Sequence, residues 1–370
     1  MLKEIVKDLE SVLFERNEEI RAVARAILAE QHVVLLGAAG VAKSMLINEF
    51  VARIDGAKVF KKLIMRDSTP DEVVGPISIK GLENDVCRRN TTNMLPEAEF
   101  AFLDEIFKGN SVVLNSTLTI MNERLFDNDG QRKSCPLVTL LGASNEMPQE
   151  EELAALWDRF CVRLIVKRIS DDHNFLRFLK GKVAAPVAKP TARGTMADLR
   201  AEIEATKKVA IPDEVLEALC KIRRELANEK ITPSDRRFAW MLRILQAEAF
   251  LSGRNEVELD DLICLTDCIW DTQESRGKVF SILGNVSSPD YTRAVELWDS
   301  AIECWNNLPE NCEDAKTLME TTMKLKQCAK SLSELAKTSK STKAKEKIDD
   351  ALKDISDKNK DILKKIGLQF

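Results

Sequence analysis

Apolar residues recur along this chain with two different periods, and these periods predict where helices and strands lie. Spacings of three and four residues predict helices over Leu2–Phe14 and Asn17–Glu30, at the start of the chain. Short unbroken apolar runs instead predict the buried strands of a parallel sheet. Such strands are predicted over Val33–Leu36, Val59–Leu63, Phe100–Leu103, Leu137–Leu141 and Val162–Val166, with helices between them over Ser44–Arg53, Ser111–Glu123 and Leu153–Phe160. This alternation predicts an α/β core.

The second half of the chain shows only the helical period. From Gly181 to Gly194, two prolines, two glycines and small residues mark a linker. Helices are predicted beyond it over Met196–Lys207, Asp213–Leu226, Pro233–Ser252 and Leu259–Trp270, the third with Ser234 as its N-cap. We therefore predict a core at 1–180, a linker at 181–195, an all-α domain at 196–284 and a C-terminal helical hairpin at 285–370.

The tail carries two seams in which apolar residues alternate steps of three and four. One runs from Leu318 to Leu335 and the other from Ile348 to Ile366, each a coiled-coil seam of roughly three heptads. The small, polar and basic segment Lys337–Lys345 separates them as a loop. The simplest interpretation is an antiparallel hairpin, in which Asn359 is a polar seam residue that sets the register.

Composition narrows the class of protein. The 370 residues carry a net charge of −5, which argues against a broad nucleic-acid surface. Nine cysteines without a Cys-x-x-Cys pair, and only two histidines, argue against a zinc site and fit a reduced chain; Cys264 and Cys268 are interpreted as core residues. Met1–Glu30 lacks a signal-peptide pattern, and no apolar run reaches the about 20 residues that span a bilayer. We therefore predict a cytoplasmic protein without membrane insertion.

A glycine loop follows the first predicted strand. Gly37 to Ser44 match the phosphate loop Gly-x-x-x-x-Gly-Lys-Ser at every fixed position but one. The exception is Ala42, where the pattern has glycine, and its methyl group is tolerated if φ is already negative there. Lys43 would reach the β- and γ-phosphates of a nucleotide, and the Ser44 hydroxyl would ligate Mg²⁺. The predicted nucleotide-binding residues are Gly37, Ala38, Ala39, Gly40, Val41, Ala42, Lys43, Ser44 and Met45.

Polar side chains also follow two later strands. Asp104 and Glu105 end the run Phe100–Leu103, at the strand end where ligands bind in open α/β sheets. Asp104 suits Mg²⁺, and Glu105 suits the task of orienting and polarising the attacking water. Asn145 follows the strand Leu137–Leu141 and could bond the γ-phosphate or that water, although a turn-forming asparagine is the simpler interpretation of the residue alone.

Two arginines outside these strands are also candidate site residues. Arg159 lies near a helix C-terminus, where the helix dipole already favours a cation. Arg236 lies in a first helical turn, where the dipole opposes it; Asp235 offsets this partly, and a facing phosphate would explain it better.

These motifs together resemble the AAA+ ATPases, within them the MoxR family, and most closely its RavA-type branch. The resemblance covers residues 1 to about 275. It rests on the Walker A motif Gly37–Ser44, the Walker B pair Asp104-Glu105, Asn145, Asp158-Arg-Phe160 and Ser234-Asp-Arg236, and on the segments Glu72–Ile79, Leu95–Glu99, Asn122-Glu-Arg124 and Phe250–Arg254. RavA-type chains also carry a β-rich insertion in their C-terminal region, which this helical tail lacks.

The resemblance implies a five-stranded parallel sheet, a helical lid and a homo-hexameric ring with ATP at the subunit interfaces. Asn145 becomes sensor 1, Arg236 sensor 2, and Arg159 the arginine finger, with Arg163 as the alternative finger. Segment 70–90 corresponds to the insert in helix 2 that faces the ring pore, and 128–135 to a hairpin before the sensor-1 strand.

The resemblance also implies a function: Mg²⁺-dependent ATP hydrolysis that drives chaperone-like remodelling of a client protein, alongside a partner with a von Willebrand factor A domain. The alternative is a motor acting on nucleic acid, which the acidic charge disfavours and Lys80, Arg88 and Arg89 in the pore insert mildly favour. A nucleotide-bound scaffold without turnover is disfavoured because no catalytic position is lost.

Overall fold

The computed structural model describes residues 1–148, 153–183, 192–308, 314–339 and 341–365. By their contacts they form two compact units. The first comprises Met1–Ile211, Pro233–Val257 and Asp267–Trp270; the second comprises Pro212–Thr232, Glu258–Thr266 and Asp271–Phe370. The domain boundaries drawn from the sequence divide the chain differently and stay a prediction.

A five-stranded parallel sheet forms the centre of the first unit, as predicted. Its strands are β1 (Val33–Leu36), β3 (Val59–Leu63), β4 (Phe100–Asp104), β7 (Thr139–Ser144) and β8 (Val162–Ile165). They lie side by side in the order β3-β4-β7-β1-β8. Every residue of β1 and β7 is buried, which explains the unbroken apolar sequence of β1 and the mostly apolar and small residues of β7.

Helices surround this sheet and join its strands. They are α1 (Leu2–Val12), α2 (Asn17–Leu28), α3 (Lys43–Val51), α4 (Asp71–Val74), α5 (Ile79–Leu82), α6 (Ser111–Glu123), α7 (Ala154–Arg159), α8 (Asp172–Val183), α9 (Met196–Thr206) and α11 (Asp235–Ser252). Short 3-10 helices span Leu95–Glu97 and Ile106–Lys108. Ser234 caps α11 as predicted, because its hydroxyl accepts a hydrogen bond from the Arg237 N–H.

Two small sheets accompany the main one. The antiparallel hairpin of β5 (Leu125–Asn128) and β6 (Gln131–Ser134) turns at Asp129-Gly130, within the predicted hairpin segment 128–135. The other sheet is a parallel pair, β2 (Ile54–Asp55) with β9 (Gly194–Thr195), which the sequence pattern did not predict. The end of α8 and strand β9 fall within the predicted linker 181–195, whose residues 184–191 lie outside the described residues.

A buried carboxylate joins α11 to α2 within the first unit. The Glu248 side chain is only 3% exposed and accepts hydrogen bonds from Arg21 and Arg25 of α2, each at 2.9 Å. A buried ion of this kind is tolerated only when its lone pairs are satisfied, as they are here.

The second unit is helical throughout its described residues. Its helices are α10 (Asp213–Asn228), α13 (Gln273–Ser287), α14 (Pro289–Asn306), α15 (Ala315–Thr338) and α16 (Thr342–Lys365), with a 3-10 helix over Leu259–Leu265. The predicted helix Leu259–Trp270 is therefore mostly this 3-10 helix, followed by α12 (Thr266–Ile269). Cys264 and Cys268 are buried, as expected of core residues.

Three helices, and not two, share the apolar core of the tail. The predicted pair α15 and α16 packs with α14 around Leu318, Leu325, Leu332, Ile348, Ile355 and Ile362. Helix α14 lies within the predicted helical segment 285–370, but it was not predicted as a third helix of this core, to which it contributes Ala294 and Ala301 with Leu297, Trp298 and Trp305 beside them. The Oδ1 of Asn359 is buried and accepts no hydrogen bond, whereas Ile366 lies outside the described residues.

No helix in the described part of the chain combines the length and the apolar character needed to cross a membrane.

A histidine is buried at the start of β1. His32 is 4% exposed, and its Nδ1 accepts a hydrogen bond from the Leu140 N–H at 2.9 Å. Its Nε2 therefore carries the proton and donates to the Met121 carbonyl at 2.9 Å. Burial, reinforced by the nearby Arg124 guanidinium, lowers the pKa of His32 to about 3.

We predict that this histidine makes the fold sensitive to acid. Its folded-state pKa lies below the ordinary value of about 6.5, so acidification protonates the unfolded chain first. His32 should therefore cost no stability above pH 6.5 and about 2 kcal/mol at pH 5, as urea denaturation at both pH values can measure.

His32→Asn keeps an acceptor for the Leu140 N–H and should flatten this pH dependence, whereas the same change at the exposed His173 should leave it unaltered. An equally steep loss of stability in His32→Asn would contradict the assignment.

Candidate active site

The carboxyl ends of three adjacent strands bring the predicted site residues together. Strands β4, β7 and β1 are neighbours and parallel. Gly37 follows β1, Asp104 ends β4, and Asn145 follows β7. Residues far apart in sequence therefore meet at one edge of the sheet, where open α/β proteins bind their ligands.

The glycine loop lies between β1 and α3. A Cβ on Gly37 would collide with the carbonyl oxygen of Val166, so close packing requires the glycine. Ala42 has φ 70° and ψ 22°, in the left-handed region. The expectation of a negative φ at Ala42 is therefore wrong: the loop keeps the backbone that glycine would adopt freely, at a steric cost of about 1–2 kcal/mol for alanine.

The ammonium group of Lys43 is buried at the centre of the site. Lys43 is 7% exposed and donates to the carbonyls of Gly37 at 2.5 Å and Ala38 at 3.0 Å, and to Asn145 Oδ1 at 2.8 Å. Burial lowers its pKa, and the carboxylates of Glu105 and Asp104 oppose that shift. The loop, the ammonium and the β7 end are thus one hydrogen-bonded unit.

A second chain of hydrogen bonds links the two carboxylates. Ser44 Oγ donates to Asp104 Oδ2 at 3.1 Å, and Asp104 Oδ1 accepts from the Glu105 N–H at 3.0 Å. Asn145 Nδ2 donates to Glu105 Oε1 at 2.6 Å, which closes a path from Ser44 to Lys43. These five side chains are the predicted group, assembled in one place.

Glu105 is held in an unusual backbone conformation. Its φ of 52° and ψ of 38° lie in the left-handed region, which non-glycine residues occupy at a cost and often at functional sites. Its Oε2 is buried and accepts no hydrogen bond, although the Lys108 ammonium lies 3.3 Å away. One carboxylate oxygen is thus left with capacity to accept a further hydrogen bond.

The oxygen donors of Ser44 and Asp104 fit a hard cation. Mg²⁺ prefers oxygen ligands and usually takes only one or two from the protein, with water and phosphate supplying the rest. The hydroxyl and the carboxylate, 3.1 Å apart, are such a pair. Within the described residues no group of three or more His, Cys, Asp or Glu side chains could hold a metal ion.

The two predicted arginines lie near each other and outside this network. Arg236 Nη2 pairs with Asp158 Oδ2, and its guanidinium lies 5.1 Å from the centre of the Trp240 ring. Arg159 Nη1 donates to the Ala155 carbonyl at 2.7 Å. The pKa of Arg159 is lowered by burial and by Arg236, with Asp158 opposing the shift. A carboxylate therefore faces Arg236 in this structure.

Arg163, the alternative finger, is a structural residue. It is 1% exposed and donates to the carbonyls of Trp270 at 2.6 Å and Trp157 at 3.1 Å. Its guanidinium also lies 4.2 Å from the centre of the Trp157 ring. A side chain enclosed in this way cannot reach another subunit, so the alternative is wrong for this conformation and Arg159 remains the candidate.

The sequence reasoning missed Arg16 as a support of the glycine loop. Arg16 is 5% exposed, and its Nη2 donates to the carbonyls of Lys167 and, at 3.3 Å, Val41. It lies 25 residues before Val41, so no local motif points to it.

The insert and the hairpin next to the sheet touch each other. The insert contains α4 and α5, and its end is closed by a bridge between Ile77 and Arg89. The Arg89 guanidinium pairs with Asp71 and donates to the Gly75 carbonyl at 2.7 Å, while Asn128 of the hairpin accepts from the Arg89 N–H at 2.8 Å. One of the three basic insert residues therefore has a structural task.

Two models of known protein families match this chain. Residues 1–202 match a family model described as the MoxR domain in the MoxR-vWA-beta-propeller ternary systems. Residues 214–283 match a model described as an AAA lid domain. Neither description mentions a RavA-type branch, so that placement stays a prediction.

Individual proteins and a solved structure are also similar to this chain. Two uncharacterized proteins of Methanocaldococcus jannaschii are 41% identical over 271 residues and 40% identical over 280 residues. The first match covers 73% of this chain and 70% of the relative, and the second covers 75% and 74%. A crystal structure of a candidate ATPase from Cytophaga hutchinsonii matches with a TM-score of 0.60 at 18% identity, over 77% of this chain and 92% of that one, which shows a shared fold.

We predict that Ala42→Gly leaves the free energy of unfolding unchanged or raises it by up to about 1 kcal/mol. Glycine removes the left-handed strain of about 1–2 kcal/mol from the folded state. It also raises the entropy of the unfolded chain, which lowers the free energy of unfolding by about 0.4–1 kcal/mol and so offsets part of the gain. Urea denaturation without nucleotide measures the difference.

Ala39→Gly in the same loop is the matched control, because Ala39 is not among the residues with positive φ. That change should destabilise the protein by about 0.4–1 kcal/mol. An equal loss in Ala42→Gly would argue against the left-handed backbone at Ala42.

Proposed function

The chain belongs to the MoxR family of AAA+ ATPases, and from that premise we propose that it hydrolyses ATP with Mg²⁺ to remodel a partner protein. The observation that carries the proposal is the continuous hydrogen-bonded network of Ser44, Asp104, Glu105, Asn145 and Lys43. The helix-2 insert and the pair of arginines outside this network support the ring form of the enzyme.

Each member of the network has a task in phosphoryl transfer. Lys43 donates to the β- and γ-phosphates by exchanging its present carbonyl partners for phosphate oxygens. Ser44 and Asp104 would hold Mg²⁺, which neutralises charge on the phosphates. Glu105 orients the attacking water through its second carboxylate oxygen, while Asn145 fixes the first one.

Arg159 and Arg236 act on the ATP of a neighbouring subunit in this proposal. Their described hydrogen bonds go to Ala155, Asn122 and Asp158, and not to the phosphate loop. Burial and the nearby Arg236 lower the pKa of Arg159, with Asp158 opposing the shift, so an anion brought by another molecule would be bound favourably at Arg159. We therefore assign both to one interface of a homo-hexameric ring, where they would neutralise the transferring phosphoryl group.

The partner is proposed by family analogy. The matching model describes MoxR domains in ternary systems with vWA and beta-propeller proteins, so a protein with a von Willebrand factor A domain is the first candidate. The motor on nucleic acid gains no support, because Arg89 is held by Asp71 and Gly75. The cytoplasmic location and the client protein remain predictions.

We predict that Glu105→Gln retains ATP binding and loses turnover. The amide keeps the shape of the side chain and can still accept the bond from Asn145, but it cannot polarise water. Phosphate release should fall by about 10²–10⁴-fold. A fluorescent ATP analogue should bind with unchanged affinity.

The control is Glu123→Gln, an exposed residue at the end of α6 that should leave both measurements unaltered. Turnover in Glu105→Gln within threefold of the parent would remove Glu105 from the proposed role.

We predict that Arg159→Ala and Arg236→Ala each abolish turnover alone and regain it in mixed rings. A Glu105→Gln subunit is inactive itself but would lend its intact arginines to the site of its neighbour. Mixing it in excess with either arginine variant should therefore restore hydrolysis from two inactive preparations. The activity of the unmodified chain per subunit should also rise with protein concentration until rings are complete.

An inactive mixture, with rings present by analytical ultracentrifugation, would contradict the interfacial role of that arginine. Activity that needs DNA in every preparation would favour the motor on nucleic acid instead.

A further inference from the structure

The motif Asn122-Glu-Arg124 takes no part in the network at the sheet edge, yet it lies beside Arg159. Asn122 belongs to the last turn of α6 and is exposed. With its amide oriented so that the oxygen faces the arginine, that oxygen accepts from Arg159 Nε at 3.0 Å and from Nη2 at 3.1 Å. A single side chain thus holds one complete edge of the guanidinium.

We propose that Asn122 is a positioning residue that fixes the Arg159 guanidinium for a phosphate of the neighbouring subunit. The inference rests on the proposed function, because it needs Arg159 to be the arginine finger. Asn122 has no role in the proposed function as stated above, so the inference adds one residue to the proposed catalytic machinery.

The donor count of the guanidinium supports this role. Arginine has five N–H donors. The Asn122 side-chain oxygen accepts the N–H of Nε and one N–H of Nη2. The Ala155 carbonyl accepts one N–H of Nη1 at 2.7 Å. One N–H of Nη1 and one of Nη2 remain, and such a pair can bind two oxygens of a phosphate. Asn122 therefore immobilises the side chain and leaves its phosphate-binding donors available.

The rest of the motif keeps Asn122 in place. Arg124 ends α6 in the left-handed conformation, and its Nη2 donates to the Glu30 carbonyl at 2.8 Å and the Val138 carbonyl at 3.3 Å. These bonds tie the end of α6 to the end of α2 and the segment entering β7. Asn122, two residues earlier, is consequently mounted on a rigid support, as a positioning group must be.

A neutral acceptor suits this task better than a carboxylate would. Asp158 already pairs with Arg236, and Arg159 has no ion pair among the described residues. An amide oxygen orients the guanidinium without neutralising it, so its full charge stays available to a phosphate.

The first test is the steady-state kinetics of Asn122→Ala, with Glu123→Ala as the matched control on the same helix turn. Misplacement of a catalytic group by about 1 Å can cost about 10²-fold in rate. We expect kcat to fall about 10- to 100-fold while the KM for ATP stays within twofold. Asn122→Asp keeps the acceptor oxygen but pairs a negative charge with the guanidinium, so it should recover only part of kcat. Unchanged kcat in Asn122→Ala would overturn the proposal.

The second test asks whether Asn122 acts through Arg159 of the same chain. An excess of Glu105→Gln subunits should restore hydrolysis to Asn122→Ala subunits, because each neighbour then supplies an intact Asn122–Arg159 pair. The double variant Asn122→Ala/Arg159→Ala should be no slower than Arg159→Ala. A mixture that rescues Arg159→Ala but not Asn122→Ala overturns the positioning role and leaves the proposed function standing. A mixture that rescues neither overturns the finger and the positioning role together.

Discussion

The parallel register of β4, β7 and β1 is the constraint on which the site depends. Leu36 pairs with Ser144, and Leu103 pairs with Gly142, so the three strands end almost level. The residues that follow them are separated in sequence by dozens of positions but by single hydrogen bonds in space. A slip of one residue would turn every buried side chain of a strand to its other face, so the apolar core holds the polar site in register.

Every cation of the site has protein oxygens as its partners. Lys43 binds two loop carbonyls and Asn145, and Arg236 binds Asp158. Phosphate binding at either position therefore exchanges one set of acceptors for another, and the net gain is smaller than the count of contacts suggests.

Much of this could be predicted from the sequence because local chemistry dictates it. Buried parallel strands need unbroken apolar runs, and a phosphate loop needs its glycines, lysine and serine at fixed spacing. The prediction failed where tertiary contacts decide. Nothing local distinguishes Arg163 from Arg159, yet Trp157 and Trp270 enclose the former. The β2–β9 pair was missed because two-residue strands leave no periodicity, and the packing of α14 against α15 and α16 is a tertiary contact that its own sequence does not specify.

The left-handed Ala42 shows a different kind of failure. Steric preference argued for a negative φ, and the fold imposed φ 70° in spite of the methyl group. The loop must pass between Gly37, packed on Val166, and Lys43, which begins α3. These fixed ends determine the backbone between them, so the preference of one residue is overruled at a cost of about 1–2 kcal/mol.

The C-terminus of the short helix α7 is held in place, and this positions Arg159, the proposed arginine finger. The last carbonyls of a helix have no partner inside it and must find one elsewhere. Here the carbonyls of Trp157, Asp158 and Phe160 accept from the buried guanidiniums of Arg163 and Arg237. Positive charge at a helix C-terminus is also favoured by the helix dipole. Two buried arginines thus fix the end of α7. Because Arg159 is the last residue of α7, the same contacts determine where its side chain begins.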